Sequence, residues 1–202
     1  MRERYEVKNQ TKNKGRPMSA SKLLKAVQFT AVILGAALMV ADLAWAQEKF
    51  PIETKGEGQT SKYTQQYKME VGDVPGHQVR IQETHRTYNE KSPLRFSGIK
   101  ATESWIRGFS DYTNGKGKAW GYGQWILEDG NKVFFDYVGT SHAETTATGS
   151  LKGSYHGTTR ITGGTGKYKG IRGTTTDVVS FDNDPKTGYN ISDGKGEYWF
   201  EE

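Results

Sequence analysis

The sequence predicts an all-β protein: an antiparallel closed β-barrel of about eight strands, preceded by a cleavable N-terminal signal helix. Three observations predict it. The chain carries 25 glycines in 202 residues, a composition that opposes long helices. Short runs of β-branched and aromatic residues recur between glycine-rich turns, as strands do. The long apolar run stands near the N-terminus, where a secretion signal belongs.

The leader comes first. From Ala26 to Ala41 nearly every residue is apolar or small. The run matches a signal-peptide core and falls short of the roughly 20 residues that span a bilayer. Lys22 and Lys25 supply the positive flank, and Ala44-Trp45-Ala46 gives the small-x-small pattern of a cleavage site. Asp42 also argues against a retained anchor. Residues 1–46 are therefore expected to be removed, leaving Gln47 as the mature N-terminus and a protein exported to the periplasm or beyond the cell. Met18 opens a signal of ordinary length by itself, so translation is expected to begin there. No contact with the membrane is expected after cleavage.

Charge changes meaning once the leader is set aside. The whole chain has 28 Lys+Arg against 23 Asp+Glu. Residues 1–46 hold eight of the basic and three of the acidic residues, which leaves twenty of each in the mature part. A nucleic-acid partner calls for a basic surface to offset phosphate charge, and none is expected. There is no cysteine, so stability must come from packing and strand pairing, for which this length suffices.

Residues 47–61 are polar, include Pro51, and read as a loose linker before a domain at 62–202. Strands are expected at 62–70, 77–88, 101–112, 117–127, 132–140, 149–161, 171–181 and 189–200. Asp129-Gly130 reads as a two-residue hairpin turn. It pairs Ile126 with Val133, Gln124 with Phe135 and Tyr122 with Tyr137 on one face, and Trp125 with Phe134 on the other. Both faces are rich in apolar or aromatic residues, whereas a sheet with one wet face alternates cleanly. One face therefore lines an interior, and the other is covered by a neighbouring segment or by another subunit, making a homo-oligomer one expected partner.

The string Ile161-Thr-Gly-Gly-Thr-Gly-Lys-Tyr-Lys-Gly-Ile-Arg-Gly173 is the most distinctive. It lacks the spacing of a phosphate loop and of a dinucleotide fingerprint, and reads as a tight turn between strands. Within it, Gly163-Gly164-Thr165-Gly166-Lys167-Tyr168, then Gly170 and Gly173, resembles the turn shared by allene oxide cyclase-like and dirigent-like barrels. Val71–His77 with the strand after it, and Gly121–Thr140 with its Asp-Gly turn, are similar to exported bacterial members of that superfamily. The resemblance covers roughly residues 60–200. It implies an eight-stranded barrel, often oligomeric, with an internal pocket for a hydrophobic small molecule. In the plant cyclases such a pocket directs ring closure of an unstable epoxide, and dirigent proteins steer coupling of phenolic radicals. No catalytic constellation of either group carries over to named positions here.

Candidate site residues follow from charges placed within strands. Glu83 and His85 share a face with Val79 and Ile81. Glu103, Trp105, Arg107 and Phe109 share another. Turned inward, Glu83 and Arg107 would form a buried ion pair beside Trp105, able to orient a polar ligand group. Turned outward, they are solvated surface charges. The expected ligand-binding set is Glu83, His85, Trp105, Arg107, Tyr122 and Tyr137, with a hydrophobic small molecule as ligand. Metal and cofactor are not expected: the four histidines lack ligand spacing, and Lys186 and Thr187 spoil the calcium-loop pattern begun by Asp182. No nucleophile elbow is present. An enzyme is the less favoured reading, and if there is a reaction it is that of a cyclase or isomerase. The rival reading is a solid structural or partner-binding barrel, and the state of the lumen separates the two.

Overall fold

The computed structural model describes residues 47–182, 184 and 189–201. The signal helix, its cleavage site and the Met18 start lie outside the described residues. The described chain is all-β, with ten strands and one short 3₁₀ turn. The strands are β1 (Phe50–Thr54), β2 (Gln59–Glu70), β3 (His77–Tyr88), β4 (Arg95–Phe96) and β5 (Ile99–Thr113), then β6 (Lys116–Leu127), β7 (Lys132–Thr145), β8 (Leu151–Gly164), β9 (Ile171–Asp182) and β10 (Tyr189–Phe200). All pairings are antiparallel, in the order β1-β10-β9-β8-β7-β6-β5-β3-β2, with β4 on β5.

All eight expected strands are present, with ends displaced by up to five residues. Two elements are additional. The stretch expected to be a linker contains β1, whose Ile52 and Thr54 are buried. Strand β4 is a two-residue pairing of Arg95 and Phe96 with Lys100 and Ile99.

The closed barrel is corrected to an open sheet curled on itself. Its terminal strands β1 and β2 are consecutive in the chain: the first pairs with β10 and the second with β3. The chain leaves β10 after Thr54, opposite Gly194, and no ladder joins β2 to β10. A side chain bridges the seam instead. The Gln59 amide donates to the Ser192 carbonyl at 2.9 Å and accepts from the Ser192 N–H at 3.4 Å. The seam stays open because 55–58, with Gly58 at φ 84°, shifts the chain from one partner to the other without a continuous row of backbone bonds.

The hairpin at Asp129-Gly130 has a three-residue loop. Gly130 N–H donates to Leu127 and Leu127 N–H donates to Asn131, both at 2.9 Å, with Gly130 at φ 77°. This is a type I turn closed by a left-handed glycine. The register is accordingly one residue away from the expected one: Tyr122 lies opposite Asp136, Gly121 opposite Tyr137 and Trp125 opposite Val133. A one-residue slip turns side chains to the opposite face.

The core fills one end of the sheet. Residues 89–98 fold across that end and put Leu94 and Phe96 against Trp125, Tyr168 and Tyr198. Burying each large apolar side chain contributes roughly 1.5–3 kcal/mol. Polar atoms in this plug are paired: Tyr168 Oη donates to the Phe96 carbonyl at 3.0 Å, and Ser97 N–H donates to Tyr198 Oη at 2.7 Å. Glycine has a specific role on the inner face. A Cβ at Gly123 would stand 2.3 Å from the Phe135 ring, and one at Gly108 would stand 2.1 Å from Tyr137 Oη. These glycines let the Phe135 and Tyr137 rings of β7 lie across β6, Tyr137 reaching as far as β5.

Candidate functional site

The half of the interior away from the plug is hollow. A cavity of about 370 Å³ lies within the curl of the sheet. Inward positions alternate along each strand, so β3 contributes Gln78, Arg80, Gln82, Thr84, Arg86 and Tyr88. The floor is apolar, made by Ile106, Trp125 and Phe135. Tyr137 and Tyr155 cross the wall with ring centroids 6.3 Å apart, edge to face. Arg80 extends its guanidinium between the Tyr63 and Tyr112 rings, 5.5 and 5.7 Å from their centroids, and donates to Ser110 Oγ at 3.2 Å.

The cavity wall is electrically lopsided. Lys68, Arg80 and Arg86 line it against a single carboxylate, Asp177. Arg86 is only 9% exposed and donates through Nη2 to Asn190 Oδ1 at 3.0 Å. Burial pushes the Asp177 carboxyl above its ordinary value, opposed by hydrogen bonds from Thr159 and Thr175 and by the Arg86 charge. Burial likewise holds the Tyr137 and Tyr155 hydroxyls far above the usual tyrosine range. Both therefore stay protonated and serve as neutral hydrogen-bond donors.

Four polar atoms on this wall are buried without a hydrogen-bond partner among the described residues: Arg86 Nε, Tyr155 Oη, Gln82 Oε1 and Thr54 Oγ1. Such an atom costs about 1–3 kcal/mol, and buried polar groups in folded proteins are as a rule paired.

Of the six expected site residues, only Tyr137 lines this cavity. Glu83 and Arg107 do form the expected ion pair, at 2.8 Å, but on the outer face, with the arginine side chain 59% exposed. His85 stacks on Trp105 at 4.3 Å and meets Glu103 Oε2 at 2.6 Å, also outside. Tyr122 is 65% exposed. The inward placement of Glu83, His85, Trp105, Arg107 and Tyr122 is thus corrected. On β3 the more apolar face points out, because the inner face lines a polar cavity rather than a packed core, and on β5 the charged face points out. Arg80, Arg86, Tyr155 and Asp177 escaped the sequence reading. The available signal was the alternation of Gln78, Arg80, Gln82, Thr84 and Arg86, which places polar residues alone on one face of a long strand.

Among the described residues no three His, Cys, Asp or Glu side chains come together as a metal-binding set. No protein-family model, curated protein or solved structure matches this chain.

Proposed function

We propose that this is an exported β-sheet protein that binds a small molecule in its lumen, with an apolar or aromatic body and an acidic end. The observation that carries the reading is a cavity of about 370 Å³ whose wall sets Lys68, Arg80 and Arg86 against the single carboxylate of Asp177, a size within the range of ordinary ligand sites. Trp125, Phe135 and Ile106 offer the apolar floor. The excess of cations on the wall favours a negative group, and Tyr137 and Tyr155 can donate hydrogen bonds to it. The leader, with its Ala44-Trp45-Ala46 site, supports export. The resemblance to allene oxide cyclase-like and dirigent-like barrels is in keeping with an internal pocket. A cyclase or isomerase activity is the extension of this reading, with the lumen shaping a reactive substrate. The rival solid barrel calls for an interior filled by large side chains, and the hollow half speaks against it.

The test pairs native mass spectrometry with a blocked lumen. Ala119 lines the cavity and faces inward, so Ala119→Phe fills space without removing a polar group. The expected result is a releasable mass on the wild-type protein, or saturable binding of the aromatic anion anilinonaphthalene sulfonate. Either is lost in Ala119→Phe while the β-sheet circular dichroism is retained. A bare wild-type chain with no saturable probe binding rejects the proposal, as does binding unchanged by the block.

A further inference from the structure

The outer face of β5, β6 and β7 carries large apolar side chains where a solvated sheet would carry polar ones. Phe109, Trp120, Tyr122, Phe134 and Val138 are all exposed. A contiguous patch of this kind marks a contact surface. Cross-strand register arranges it in rows. One row runs Ile81, Phe109, Trp120, Val138 and Thr158 across β3, β5, β6, β7 and β8. The next runs Glu83, Arg107, Tyr122, Asp136 and Arg160 across the same five strands. Beyond it, Trp105, Gln124 and Phe134 align on β5, β6 and β7.

The charged row has an order that fits its own reverse. Read from β3 to β8, its signs are minus, plus, neutral, minus, plus. A two-fold axis lying along β6 in the contact plane exchanges β5 with β7 and β3 with β8. Arg107 then meets the partner's Asp136, and Glu83 meets the partner's Arg160. The same rotation sets Trp105 against the partner's Phe134, Phe109 against the partner's Val138, and Trp120 against its own copy. An interface of this type is self-complementary, as a two-fold dimer requires. The two arginine side chains are 59% and 70% exposed and long enough to span the gap that opens where the curved sheets diverge.

We infer that this protein forms a two-fold homodimer through the outer face of β5, β6 and β7, steered into register by the alternating charge row. Lys118 occupies the following position on β6, opposite Asp111 and Thr140, and would meet its own copy on the axis, so the contact ends before that row. Five strands about 4.8 Å apart and three rows about 6.8 Å apart give a footprint of roughly 500 Å² per copy. Standard interfaces bury about 800 Å² per partner. The dimer is therefore small and dissociates on dilution. It leaves the lumen free and does not depend on the ligand reading.

The experiment is sedimentation velocity over a hundredfold range of protein concentration, using two double variants. Glu83→Arg with Arg107→Glu keeps one internal ion pair but reverses its order, and Asp136→Arg with Arg160→Glu does the same for the other. Each double variant opposes like charges across the axis and is expected to stay monomeric at concentrations where the wild type is dimeric. Mixed one to one, the two restore every cross-axis pair, and a heterodimer is expected to reappear. A wild type that is monomeric throughout, or trimeric, overturns the inference. So do double variants that dimerise like the wild type, or a mixture that remains monomeric while both variants keep their β-sheet spectrum.

Discussion

Asp177 shows how one side chain ties the lumen to pH. Its folded pKa lies above the ordinary aspartate value of 3.8, chiefly because burial penalises the charge. Between those two values the native state binds more protons than the unfolded chain. Stability associated with the neutral carboxyl is therefore complete below 3.8 and is lost as pH rises through the folded pKa. Asp177→Asn keeps the shape without the charge. Urea midpoints should be higher for Asp177→Asn than for the wild type at neutral pH, and the advantage should vanish below pH 3.8. A variant less stable than the wild type at neutral pH would mean that the Arg86 and threonine partners outweigh burial. The residues that matter here were hard to read from the chain. Asp177 sits among threonines and valines on β9, where nothing local distinguishes a lumenal carboxylate from a solvated one.

Among the elements, the seam between β2 and β10 bears the most on a single side chain. Gln59 supplies both the donor and the acceptor that bridge to Ser192, and its amide also donates to the Lys55 carbonyl. Replacing it by alanine strands part of the Ser192 backbone at a part-buried site. Gln59→Ala should cost about 1–3 kcal/mol, read from urea unfolding. It should speed hydrogen exchange at Ser192 and along β1, while amides in β5–β8 keep their protection. Equal acceleration across all strands would show that the seam is not a separate weak point. The strands themselves were legible in the chain, because glycine turns and β-branched runs are local signals. Strand β1 was not: five residues flanked by polar sequence and interrupted by Pro51 acquire strand character only from pairing with β10.

For the molecule as a whole, stability and the cavity are segregated at opposite ends. Phe96, fully buried against Trp125 and Tyr198, belongs to the plug, whereas Tyr155 belongs to the hollow half. Phe96→Ala should destabilise by about 3–5 kcal/mol, as truncation of a buried aromatic does. Tyr155→Phe removes a buried hydroxyl with no internal partner, which relieves a cost of about 1–3 kcal/mol, and should raise stability by up to that amount while weakening retention of any lumenal molecule. Calorimetry with and without the probe separates the two effects. Matching losses of stability in both variants would count against this division.

The all-β class, the positions of eight strands and the glycine turns between them follow from local chemistry, and the chain alone disclosed them. Even the Glu83–Arg107 pair was legible, since residues on adjacent strands meet whichever way the strands face. Which side faces inward was not legible. That parity turns on a single residue of register at Glu128–Gly130, and on whether the enclosed space is packed or hollow. The polar face of β3 can enclose a cavity only when the other strands curl around it and the 89–98 segment seals one end. The open seam has the same origin: a ladder closes only if the last strand meets the first in register, and here β1 and β2 divide that task between two neighbours. Closure and facing are properties of long-range pairing, to which no short stretch of sequence holds the key.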